Sequence, residues 1–262
     1  MKPFSQALSR IHVLKVVATD NDYLEQSTHW SPREWIREEP MRYRGKRRKA
    51  DLDGLVRHQD FFRSWPKAPI TRKNLFDAVL TAGDDPLRLE EAFVLTMAWG
   101  FRPNSYGPYR TSVMLSGAKG GRPTASLLAE LRGILSDDSG ERDPVLAAYG
   151  AMSRQLEMCG PAFGTKWLCF ASPVNNRAPI LDAVVAEWLE RHEVYVGSRP
   201  ISASTWSIKD YRCYLDFCRY AAAGIGCGDV GFVEYLMFTD QQYFEFSSRD
   251  DMFPEWIRRV SR

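Results

Sequence analysis

The chain has 262 residues, 44% hydrophobic and 26% charged, with a formal net charge of +2 at pH 7. This is an ordinary globular composition, long enough for a sizeable core in one large domain or in two lobes sharing a cleft. It excludes a membrane-spanning chain, since no run approaches ~20 apolar residues, and five scattered cysteines exclude a disulfide framework.

Between Met1 and Asp20 the charged or polar Lys2, Arg10, His12 and Lys15 interrupt the apolar residues, so no signal-peptide core is expected there. Residues 20–66 are rich in charge, proline and tryptophan; Trp30, Trp35 and Trp65 are the expected anchors of this segment on the body. Its secondary structure is not readable. Within it, Arg42-Tyr43-Arg44-Gly45-Lys46-Arg47-Arg48-Lys49 carries six cations in eight residues. Such a cluster suits phosphates through counterion release, with Tyr43 able to lie against a sugar or base; its bland alternative is a solvated loop.

From Thr71 helical spacing begins. Leu75, Ala78, Val79 and Leu80 predict a helix ending at Gly83, and Leu89, Ala92, Phe93 and Met97 predict a second from Pro86 to Gly100. Residues 101–110 then read as a loop punctuated by proline and glycine. Gly117 to Arg122 lacks the strand and the Lys-Ser/Thr that a phosphate-binding loop requires, and reads as a flexible turn. Helices are expected at 124–135, 144–158, 181–192 and 205–223, and the last stretch, 229–262, ends on the amphipathic Trp256-Ile257-Arg258-Arg259-Val260.

The chemistry concentrates at Gly160-Pro161-Ala162-Phe163-Gly164-Thr165-Lys166 and Ala178-Pro179-Ile180-Leu181-Asp182. Proline stops the preceding helix. Gly164 permits a positive φ or a close backbone approach, and Thr165 reads as the cap of the next helix. Lys166 would then lie in a first turn, where the helix dipole and partial burial favour a neutral, nucleophilic amine. Asp182 opens the helix marked by Val184, Val185, Trp188 and Leu189, where the dipole keeps a carboxylate ionised and able to stabilise a cation.

These residues resemble the hairpin and acid of the helix-hairpin-helix DNA glycosylases, the 8-oxoguanine DNA glycosylases above all, whose hairpin reads Leu-Pro-Gly-Val-Gly-Thr-Lys before a Pro-Val-Asp. Gly-Thr-Lys matches outright. Ala162 stands where the family has its first hairpin glycine, and Pro-Ile-Leu-Asp adds one residue before the acid.

The resemblance implies an all-α, two-lobed fold with a central cleft: residues 71–262 as the helical core, the hairpin at 158–167, and residues 1–70 as a basic, Trp-rich segment packed on it. It implies that Lys166 attacks C1′ of a flipped-out nucleotide in double-stranded DNA while Asp182 stabilises the oxocarbenium-like transition state, with AP-lyase activity as an additional capacity. The contacts to DNA it implies are Gly160, Ala162, Gly164 and Thr165 at the hairpin, Asn104, Tyr106 and Arg110 at the gap left by the base, and Arg44, Arg47 and Arg48 on phosphates.

Base recognition would draw on Trp206, Lys209, Asp210, Tyr211 and Tyr214. The substrate is expected to be either 8-oxoguanine, in base-excision repair, or a hypermodified phage cytosine such as glucosylated hydroxymethylcytosine, in antiviral defence. The alternative is a catalytically inactive hairpin DNA-binding protein. No metal and no cofactor are expected beyond a monovalent cation at the hairpin, because Cys213, Cys218 and Cys227 lack iron–sulfur spacing and His12, His29, His58 and His192 suggest no zinc site. The expected context is a cytoplasmic, nucleoid-associated monomer.

Overall fold

The computed structural model describes residues 4–30, 32–36, 38–39, 41–42, 51–66, 69–101, 106–246 and 254–260. Arg44, Arg47, Arg48 and Asn104, all expected to touch DNA, lie outside the described residues. Among the described residues the architecture is all-α, with three short two-stranded pairings.

Several helices start where a cap precedes proline. Asp85 accepts from the Leu87 and Arg88 amides ahead of α6 (Pro86–Gly100), and Asp143 from Val145 and Leu146 ahead of α9 (Pro144–Met152). Preceding α6 are α1 (Ser5–Lys15), α2 (Asp20–Leu24), α3 (Pro32–Trp35), α4 (Gln59–Ser64) and α5 (Arg72–Ala82). Between α6 and α9 lie α7 (Tyr106–Leu115) and α8 (Thr124–Leu135). After them come α10 (Pro161–Ala171), α11 (Ala183–Arg191), α12 (Ile208–Gly224), α13 (Val230–Phe246) and α14 (Glu255–Val260).

Helix α10 packs on α5, α6, α8 and α9, while α13 packs on α11, α12 and α1. Their apolar faces merge into one cluster running from Ala7 through Trp167 and Trp188 to Ile257, so side chains from both ends of the chain share a core. The N-terminal segment is tied in by strand pairing: β1 (Ser27–Thr28) runs antiparallel to β2 (Ile70–Thr71), with Ser27 opposite Thr71. Arg72, fully buried, clamps this junction. It donates to the Gln26 side chain and pairs with Glu234 of α13 at 2.8 Å.

Several boundaries differ from the sequence reading. The helix expected to reach residue 158 stops at Met152, because Arg154 and Met158 adopt positive φ and fold 153–159 into a turn. The expected loop at 101–110 is helical from Tyr106. The helix expected from residue 205 begins at Ile208, where Ser207 accepts from the Asp210 amide. No described helix is long and apolar enough to cross a membrane.

Candidate active site

The turn before α10 is held from two sides. The Lys119 amide donates to Gln155 O at 2.8 Å, which fastens it to the Gly117–Arg122 turn. Arg110, on α7, donates through both Nε and Nη2 to Met158 O and lies 4.6 Å over the Phe163 ring. Arg110 was expected at an orphaned base. Its guanidinium instead serves as a brace for the hairpin. Tyr106, half exposed at the start of α7, remains at the surface as a candidate wedge.

Helix α10 starts earlier than the sequence indicated, with Gly160 as its cap and Pro161 in its first position. Thr165 is therefore not a cap. It is fully buried inside the helix, donating to Pro161 O at 2.8 Å and accepting from the Leu181 amide at 3.1 Å. Gly164 is likewise internal; a Cβ there would meet the Trp206 ring at 2.3 Å, so its missing side chain accommodates Trp206 rather than a phosphate. Burial removes both Gly164 and Thr165 from the expected DNA-contacting set. Gly160 and Ala162 stay partly exposed at the helix start.

Lys166 lies in the second turn of α10, beyond the first-turn placement on which the dipole argument stood. Its Nζ donates to Asp182 Oδ2 at 3.0 Å and to Ala162 O at 3.3 Å, and the residue is 6% exposed. Asp182 caps α11 as the sequence indicated: Oδ1 accepts from the Val185 amide at 3.2 Å, leaving Oδ2 for the lysine. Gly100, the last residue of α6, makes room for the lysine stem, since a Cβ there would lie 2.8 Å from Lys166 Cδ.

The pair opens into a cavity of about 290 Å³. Its polar lining comes from Gln26, Ser27, Thr28, Glu234 and Gln242; its aromatic lining comes from Trp99, Phe101 and Phe238. Buried Glu234 has its carboxyl pushed up by burial, and the Arg72 guanidinium opposes that rise. A larger cavity of about 730 Å³ lies at the far end of α10, against Phe76, Phe170 and Phe232. It touches neither Lys166 nor Asp182, so size does not mark the chemistry here.

None of the five expected base-recognition residues lines the smaller cavity. Trp206 covers Gly164 and lies 5.0 Å from the Tyr149 ring. Lys209 is exposed on α12, and Asp210 is held by Arg199 and Ser207. The Tyr211 and Tyr214 hydroxyls donate to Pro179 O at 2.9 Å and Ile180 O at 2.7 Å. Phenols satisfied by backbone carbonyls are not presented to a ligand. Apart from Lys166 and Asp182, the residues that line the cavity are not marked in the sequence: the 26–28 segment shows no readable pattern, and Phe238 and Gln242 have only their four-residue spacing on one helix face to mark them.

What this arrangement offers is a primary amine hydrogen-bonded to a carboxylate, beside a walled cavity and a braced hairpin. A nucleophile paired with a proton acceptor of this kind suits displacement at an electrophilic carbon. Neither a curated protein nor a solved structure matches the chain. One family model matches residues 21–238, described as "Putative 8-oxoguanine DNA glycosylase OGG-like protein". That match spans most of the chain and includes the hairpin, Lys166, Asp182 and the cavity lining apart from Gln242, and on it the chain belongs to the OGG-like DNA glycosylase family.

Proposed function

We propose that this protein is a DNA N-glycosylase that draws a modified nucleotide out of the duplex, seats its base in the 290 Å³ cavity and severs the N-glycosidic bond through Lys166. The observation that carries this reading is the 3.0 Å contact between Lys166 Nζ and Asp182 Oδ2 at the cavity wall. The Lys166 amine attacks C1′ while Asp182 is ionised, and Asp182 then takes a proton from the attacking nitrogen. The glycosidic electron pair departs with the base; the C1′–O4′ bond then breaks as O4′ receives the proton from Asp182, which opens the sugar and leaves a protonated imine between Lys166 and C1′. Until attack is complete, the carboxylate stabilises positive charge on the sugar. Loss of a proton from C2′ of that imine would expel the 3′ phosphate, the AP-lyase capacity.

Two substrates have distinct support. The family description favours 8-oxoguanine. The lining of amides, hydroxyls and a carboxylate from Gln26, Ser27, Thr28, Gln242 and Glu234, beside aromatic surfaces, favours a base with a hydroxyl-rich substituent, such as glucosylated hydroxymethylcytosine in phage DNA. Extrusion costs a few kcal/mol of unstacking, which Tyr106 would offset by filling the gap.

The test incubates the protein with duplexes carrying 8-oxoguanine, cytosine, hydroxymethylcytosine or its glucosylated form, and counts abasic sites with and without borohydride. Base release with a borohydride-trapped adduct supports the reading. Binding to every duplex without release from any would make the protein a non-catalytic hairpin DNA binder.

A further inference from the structure

We propose that Thr165, Tyr211 and Tyr214 are positioning residues for excision: three buried hydroxyls that fix the backbone before Asp182 and so set the acid against Lys166. The inference rests on the reading of Lys166 and Asp182 as the reacting pair. Residues 177–182 form no helix or strand, and Ala178 to Leu181 are buried, with Asp182 half-buried behind them. Irregular buried backbone requires side-chain partners for its polar groups. Here they arrive one per residue: Pro179 O accepts from Tyr211, Ile180 O from Tyr214, and the Leu181 amide donates to Thr165 Oγ1.

The third bond is the most telling. Thr165 immediately precedes Lys166, and Leu181 immediately precedes Asp182. Thr165–Leu181 and Lys166–Asp182 are therefore adjacent rungs between the same two segments, one between a hydroxyl and an amide and the other between the reacting groups. Thr165 spends its proton on Pro161 O, which leaves a lone pair for the Leu181 amide and fixes the direction of that rung. Burial alone does not bring such pairing, since the buried Tyr23 hydroxyl has no partner among the described residues. A displacement of about 1 Å at a reacting group can cost on the order of 10²-fold in rate, so a support of this kind acts on the chemistry without touching substrate.

The experiment compares Thr165→Val, which keeps the shape and removes both bonds, with Thr165→Ser, which keeps the hydroxyl. Single-turnover base release should fall by about tenfold or more in Thr165→Val and stay within about threefold of wild type in Thr165→Ser, with DNA affinity unchanged in both. In an Asp182→Asn background, Thr165→Val should cost less than about twofold, because the geometry it maintains no longer serves a carboxylate. Equal losses in both backgrounds, or an unimpaired Thr165→Val enzyme, would overturn the proposal.

If Thr165→Val does not fold, Tyr214→Phe, which removes one oxygen, runs the same cycle. Hydrogen exchange at the Leu181 amide reads the clamp without catalysis: slow in wild type and about tenfold faster or more in Thr165→Val. An amide that exchanges at open-loop rates in wild type also overturns it. A wild-type protein that releases no base while its Leu181 amide is protected would instead remove the enzymatic reading and leave the clamp as structure.

Discussion

Gly100→Ala separates activity from stability because the first should fall while the second holds. The added Cβ would sit 2.8 Å from Lys166 Cδ, 3.2 Å from Cε and 3.4 Å from Phe163 Cε1. Carbon atoms are comfortable at roughly 3.5–4.0 Å, so one partner must retreat by about 1 Å. Phe163 is stacked at 4.2 Å on Phe101 and covered by Arg110, whereas the lysine stem ends at a cavity and can swing. Moving the stem by that distance takes Nζ out of hydrogen-bond range of Asp182, now 3.0 Å away, and single-turnover base release should slow by about 10²-fold.

The fold should not suffer. Alanine in a helix is favoured over glycine by about 0.5–1 kcal/mol, which offsets the lost contact and keeps the thermal midpoint near wild type. Gly133 on α8 is the control: a Cβ there meets nothing within 4 Å, so Gly133→Ala should raise the midpoint slightly and leave the rate unchanged. A Gly100→Ala enzyme with wild-type rate would refute the reasoning, because the lysine would not need the position observed. A sharp drop in the midpoint would refute it differently, by showing that the helix gives way rather than the lysine.

Lys166→Gln should abolish base release and the borohydride-trapped adduct while DNA affinity holds; an adduct that persists would mean another amine attacks. Asp182→Asn should slow single-turnover excision by roughly 10²–10³-fold, while the amide oxygen keeps the Val185 cap and limits the stability loss to about 1 kcal/mol. If melting and rate collapse together, Asp182 is a structural cap. Asp240 is buried, which alone would raise its carboxyl. His192, Arg10 and the Trp188 indole outweigh burial and hold it well below the usual carboxylate range. Its stabilisation is thus full above the unfolded pKa of about 4 and is lost as pH falls toward the depressed folded value. Asp240→Asn should cost about 2–4 kcal/mol at pH 7 and flatten the acid arm of the stability curve below pH ~4; an unchanged acid arm contradicts this. Neutralising Arg44, Arg47 and Arg48 together should flatten the salt dependence of DNA binding by up to roughly 3 log–log units, about 0.9 for each lost phosphate contact, and an unchanged slope returns the cluster to a solvated loop.

What the sequence alone determined is local. Helix starts at Asp85-Pro86 and Asp143-Pro144 are legible because a cap or a proline acts on its own turn, whereas Gly160-Pro161 reads as the stop of one helix and is in fact the start of the next. Asp182 is legible for the same reason, and with Lys166 it marks the candidate chemistry. What surrounds that pair was decided by the tertiary structure. Gln26, Ser27 and Thr28 reach the cavity because β1 pairs with β2 more than forty residues away, and such a pairing leaves no periodic trace in either segment. The period of α12 correctly buries Tyr211 and Tyr214, but it cannot say whether their hydroxyls meet a ligand or a carbonyl; that depends on where residues 179 and 180 pass. Periodicity records which face of an element is dry, whereas a polar atom's partner is fixed by a second element whose approach is set by the packing of the whole core.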